Sequence, residues 1–138
     1  MTRFITFLAL LLAATAGLSQ PLDVTDAWIK NLPPSMPIRA GYMQLMNPDS
    51  KSATIVSISS DAFKKIEIHQ TMNNDGMMSM QPVDKLVLKP NAMITLKPGG
   101  MHLMMMKPTK ALKPGDEIKL TLQFDGGTSQ SILMTVKK

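Results

Sequence analysis

The sequence predicts an all-β domain, either a sandwich or a barrel of short strands. Alternating apolar and polar residues form runs that recur roughly every 8 to 12 residues. Turn formers separate these runs, and no segment sustains a 3.6-residue apolar period. At 138 residues with 44% hydrophobic content, the chain suits one domain with a core of its own.

The opening residues are predicted to be an export signal spanning 1–19. Arg3 gives a positive start, residues 4–18 are almost wholly apolar, and Ala14-Thr15-Ala16 or Gly17-Leu18-Ser19 offers the small residues of a cleavage site. A membrane span needs about 20 apolar residues, so a cleaved signal is the better fit. The domain then occupies residues 20–138. The chain contains no cysteine, so none is expected to be lipid-modified, and the mature protein is expected to be free in solution with no stable membrane insertion and as a monomer. Export usually means an oxidising compartment, which suits a chain with no thiol to oxidise.

Within the domain, strands are predicted at 22–30, 41–46, 53–59, 65–70, 77–82, 92–96, 101–106, 117–124 and 130–136. The breakers between them include Pro33-Pro34, Asn47-Pro48-Asp49, Asn73-Asn74-Asp75-Gly76, Lys97-Pro98-Gly99-Gly100, Lys113-Pro114-Gly115-Asp116 and Asp125-Gly126-Gly127. Residues 33–37 are a loop, because each proline there removes a backbone donor. Asp61-Ala62-Phe63 reads as one short turn.

Charge narrows the partners. Loss of Arg3 with the signal leaves 14 basic against 10 acidic side chains, a net +4. The lysines are scattered and lack interleaved aromatics, which argues against nucleic acid and for solubility and edge protection.

The unusual feature is methionine, with 14 residues, alongside only two histidines. Four positions form one pattern, His69, Met80, His102 and Met104, spaced His-x10-Met-x21-His-x-Met. Side chains alternate faces along a strand. Ile66 and Ile68 therefore face the core, while Glu67 and His69 face away. Met101, Leu103 and Met105 share one face, and His102, Met104 and Met106 the other. The turn at 73–76 folds Met80 back beside His69, so all four are expected to meet outside the core.

The donor set selects the ion. Thioether sulfur is soft and neutral and suits Cu(I), whereas zinc sites use Cys, His, Asp and Glu. A blue-copper electron-transfer site needs a thiolate, which this chain lacks. Two imidazoles and two thioethers add no charge, which favours a monovalent soft ion; silver(I) should bind as well. Imidazole must be neutral to ligate, so affinity is expected to fall in acid, while the thioethers do not titrate. Methionine is also a common core filler. Met93 and Met134 are assigned to the core, as are Met101 and Met105 by their face. Met72, Met77, Met78 and Met106 could serve in packing, in docking or as weak extra copper ligands.

With these residues in place, the sequence resembles the periplasmic copper chaperones of the PCuAC family, whose metal motif it matches at all four positions. Asp26-Ala27-Trp28, the run from Gly41 to Asn47, the run from Leu96 to Met104 and Leu112-Lys113-Pro114-Gly115-Asp116 extend the similarity over essentially the whole domain. The resemblance implies a cupredoxin-like Greek-key β-sandwich and an accessible Cu(I) site ligated by His69, Met80, His102 and Met104. It also implies delivery to a copper-accepting protein, toward the CuA centre of cytochrome oxidase or another copper chaperone. Some family members carry a His/Met-rich tail. This chain ends Val136-Lys137-Lys138, so a tail-borne second site is not expected.

An enzyme is disfavoured: there is no Ser/His/Asp or Cys/His arrangement, and both histidines are claimed as ligands. Copper buffering without a dedicated acceptor, or a metal-free methionine-rich interaction domain, are the competing readings.

Overall fold

The computed structural model describes residues 21–138; the predicted export signal, 1–19, lies outside the described residues. Ten strands carry the described chain: β1 (Asp23–Lys30), β2 (Ile38–Met46), β3 (Ala53–Ser60), β4 (Phe63–Asn74), β5 (Met77–Val83), β6 (Leu86–Leu88), β7 (Met93–Leu96), β8 (Met101–Pro108), β9 (Glu117–Phe124) and β10 (Ser129–Lys137).

Alternation drives this arrangement. In β9, Ile118, Leu120 and Leu122 point inward and are buried, while Glu117 and Lys119 face solvent. In β8, Leu103 and Met105 are fully buried. Burying each such side chain contributes about 1.5–3 kcal/mol.

Hydrogen bonding links the strands in the order β5-β4-β8-β2-β1-β10-β9-β3-β6, and β4 also pairs with β3. That last pairing closes a ring through β4, β8, β2, β1, β10, β9 and β3, so the sheet is barrel-like. The strand spacing alone left sandwich and barrel open; among the described residues the pairing closes into a barrel-like ring. β5 extends β4 beyond the ring, β6 flanks β3 and β7 pairs with β2. All pairings are antiparallel except β1 with β10.

Two residues fix the geometry near β8. Gly41 lies opposite Leu103 on β2, and a Cβ there would stand 3.1 Å from the Met105 sulfur and 3.3 Å from both Leu103 Cβ and Met134 Cε. Glycine therefore lets β2 and β8 pack over this crowded part of the core. Asn47, fully buried, donates to the carbonyls of Lys51 and Leu88 and accepts from the Asp49 N–H, locking the end of β2 against β6.

The strands differ from the sequence expectation in extent. β6 was not anticipated, β2 begins at Ile38 rather than at 41, and β4 continues to Asn74. Met134 is in the core as expected, but Met93 is not, being 58% exposed. In β7, Ile94 and Leu96 turn toward the core, so Met93 and Thr95 face outward.

Candidate metal centre

The site is built on the longest strand, β4, and two of its neighbours, β5 and β8. β4 and β8 pair so that His69 lies directly opposite His102, and Glu67 opposite Met104. Directly opposed residues of an antiparallel pair share a face. Glu67, His69, His102 and Met104 therefore line one face, while Ile66, Ile68, Leu103 and Met105 line the core face. β5 returns beside β4 through a two-residue turn, Asp75-Gly76, with φ of 52° and 83°. Positive φ at both central residues suits an Asp-Gly hairpin. The register sets Met80 opposite Thr71, two residues beyond His69, so Met80 joins the same face as a diagonal neighbour of His69. All four motif residues thus occupy one face of three adjacent strands.

Their exposure is graded. Met80 is 55% exposed, Met104 is half-buried, the His69 side chain is 12% exposed and His102 only 6%. The expectation that all four lie outside the core is therefore corrected for His102: it faces away from the barrel interior yet is buried. Strands flank β8 on both sides. Along β2 the register sets Ala40 opposite Met104 and Gly41 opposite Leu103, and the next residue, Tyr42, is buried. Tyr42 in turn packs on Trp28, with ring centres 4.7 Å apart at 45°, and burial raises the pKa of its hydroxyl.

The two imidazoles have centres 6.1 Å apart and are tilted by 41°. His102 Nδ1 lies 3.1 Å from the Gly100 carbonyl. A carbonyl only accepts, so Nδ1 carries the proton and Nε2 keeps its lone pair. His69 Nε2 lies 2.7 Å from Glu67 Oε2, and Lys65 Nζ lies 2.7 Å from Glu67 Oε1. The hydrogen bond from Lys65, and then that from His69, hold the Glu67 carboxyl below the usual carboxylate range. His69 Nδ1 is buried and has no hydrogen-bond partner.

Among the described residues, no three His, Cys, Asp or Glu side chains gather into a group able to hold a metal. An ion on this face would need the thioethers. Of the other methionines, Met78 is exposed and shares the Met80 face, opposite Asn73. Met72 and Met77 are exposed on the other face of the hairpin. Met106 is half-buried between Lys65 and Ile38, Met105 is in the core, and Met101 packs against it. The Gly100 carbonyl is a contributor that sequence reasoning missed. A backbone acceptor leaves no residue signature.

Residues 22–136 match the family described as "Putative lipoprotein LpqE-like". A Rickettsia prowazekii protein, RP573, is 39% identical over 98 residues, covering 70% of this chain, which spans 54% of that protein's length. A Leifsonia xyli subsp. xyli protein described as a lipoprotein, Lxx21020, is 29% identical over 117 residues, covering 84% of this chain and 69% of its own. Among solved structures, the Cu(I) form of DR1885 from Deinococcus radiodurans matches with a TM-score of 0.70 and 27% identity, over 90% of this chain and 83% of that one. The copper-bound PCuAC domain of PmoF2 matches with a TM-score of 0.72 over 87% of this chain and 95% of that one; at 18% identity the likeness is one of fold. With the match running through all ten strands, the chain belongs to the LpqE-like family and has the fold of PCuAC domains.

Proposed function

We propose that this protein is an exported copper(I) chaperone that carries one ion on His69, Met80, His102 and Met104 and passes it to an acceptor protein without catalysing a reaction. The observation that carries the reading is the direct opposition of His69 and His102 across β4 and β8, with both methionines on the same face. Two imidazoles bound to one ion at about 2.0 Å each have ring centres no more than roughly 6.3 Å apart. The 6.1 Å observed here is compatible with a shared ion. Both rings have a nitrogen free of hydrogen bonds, and the other two residues of the motif offer soft thioethers. The 27% identical DR1885 fold in its Cu(I) form supports the same ion.

The gradient of exposure suggests how release proceeds. Met80, on the outer strand, is open to an incoming ligand, whereas the imidazoles are held in the barrel wall. An acceptor's thiolates or histidines would displace Met80 and Met104 first, and the imidazoles would leave last. The acceptor we propose is a copper-accepting protein on the route to the CuA centre of cytochrome oxidase. We place the protein in the periplasm as a monomer of residues 20–138, following cleavage of the 1–19 signal; the lipoprotein description of its family and of Lxx21020 supports export. We also take the barrel to be a cupredoxin-like Greek key. In its support, strands distant in the chain are neighbours in the sheet, as with β2 between β1 and β8.

The test is anaerobic Cu(I) titration of residues 20–138 against a competing chelator, followed by mixing with an apo acceptor. One equivalent should bind, stabilise the fold by about 4 kcal/mol at a thousandfold excess over Kd, and move to the acceptor. Absence of stoichiometric binding would refute the reading.

A further inference from the structure

We infer that Glu67 is a positioning residue that holds His69 as the tautomer protonated on Nε2 and so reserves Nδ1 as the nitrogen offered to the ion. The inference rests on the copper reading above and deepens it by assigning the donor atom and the side chain that selects it.

An ionised carboxylate has no proton to give, so across the 2.7 Å contact His69 Nε2 donates and Glu67 Oε2 accepts. In a neutral imidazole the other nitrogen then bears the lone pair. That atom, Nδ1, is buried and unpartnered, one of only two such side-chain atoms found among the described residues; the other is Arg39 Nε. Folded proteins rarely leave a buried nitrogen without a partner, and an exception calls for a reason. A lone pair kept free of water and of protein donors remains available to a soft cation. A carboxylate on the second ring nitrogen is the usual way of orienting a metal-binding histidine and raising its basicity.

His102 is wired the opposite way. Its Nδ1 is taken by the Gly100 carbonyl, leaving Nε2. The opposed rings therefore offer different nitrogens, Nδ1 from His69 and Nε2 from His102. The Lys65–Glu67 pair is largely in solvent at its lysine end and contributes little by itself. The contact that fixes the ring is the one with His69, whose side chain is only 12% exposed.

The test is nitrogen-15 NMR of the metal-free protein, labelled at histidine, at about pH 8, where imidazole is neutral. His69 should show a protonated Nε2 and a bare Nδ1, and His102 the reverse. Silver(I), a diamagnetic stand-in for Cu(I), should shift Nδ1 of His69. Glu67→Ala should mix the tautomers of His69 and weaken Cu(I) binding by about 10- to 100-fold. Glu67→Gln, whose amide oxygen still accepts, should preserve both, which a merely structural role for the charge would not predict. A proton on His69 Nδ1 in the metal-free protein would overturn the inference, as would silver(I) acting at Nε2; in the latter case Glu67 competes with the ion. If the tautomers are as stated but neither ring responds to silver(I), the proposed copper function fails while the hold of Glu67 on His69 stands.

Discussion

The barrel wall and the β4–β5 hairpin build the two halves of this site in different ways. In the wall, His69 and His102 face each other across a paired register, each ring has one nitrogen fixed by a hydrogen bond, and little of either side chain meets solvent. On the hairpin, Met80 sits on an outer strand, more than half exposed, beside the more exposed Met78. The wall holds its donors in place, and the hairpin leaves its methionine open to solvent. A preformed pair of donors loses little freedom on binding an ion, whereas an exposed methionine must be ordered first. Affinity should therefore reside in the wall and exchange in the hairpin.

The sharpest way to break that division is His102→Ala. Removing the more buried imidazole should weaken Cu(I) binding by more than about 100-fold, or about 2.8 kcal/mol, in a chelator competition. A loss of only a few-fold would move the affinity out of the wall. Next in size is Gly41→Ala, which touches no proposed ligand. Its Cβ would crowd Met105, Leu103 and Met134. Overpacking of this kind costs about 1–3 kcal/mol, to be read as a lowered denaturation midpoint. Met80→Ala should weaken binding by about tenfold, about 1.4 kcal/mol, and speed release to an acceptor more than it slows loading. Stopped-flow transfer rates decide this; an effect as large as that of His102→Ala would put the hairpin on a par with the wall. Smallest is Met78→Ala, expected to change affinity less than about twofold, roughly 0.4 kcal/mol. A tenfold loss there would make Met78 a ligand in exchange with Met80.

Much of this was legible in the chain. The alternation of Ile66 and Ile68 against Glu67 and His69, and of Leu103 and Met105 against His102 and Met104, set the face of three of the four motif residues before any pairing was known. The Asp75-Gly76 turn foretold the return of Met80. What alternation does not say is what lies across the sheet. The burial of His102 depends on β2 running beside β8, a contact between segments some 60 residues apart, and barrel closure depends on β3 pairing with β4. β6 is three residues between charged and proline-containing segments, too short for a period to register. Met93 was misplaced although the signal was present: its face is shared with Thr95, while Ile94 and Leu96 mark the inner one. Which nitrogen of each histidine is free was beyond the sequence, since it turns on one carbonyl and one carboxylate a few ångströms away.

The central claim is that two imidazole nitrogens and two thioether sulfurs surround one Cu(I). X-ray absorption at the copper edge, on anaerobic protein loaded with a single equivalent, tests it most directly. A Cu(I) edge with two nitrogen and two sulfur neighbours is expected, with loss of one nitrogen in His102→Ala. A shell of nitrogen and oxygen alone, or an unchanged shell in that variant, would contradict it.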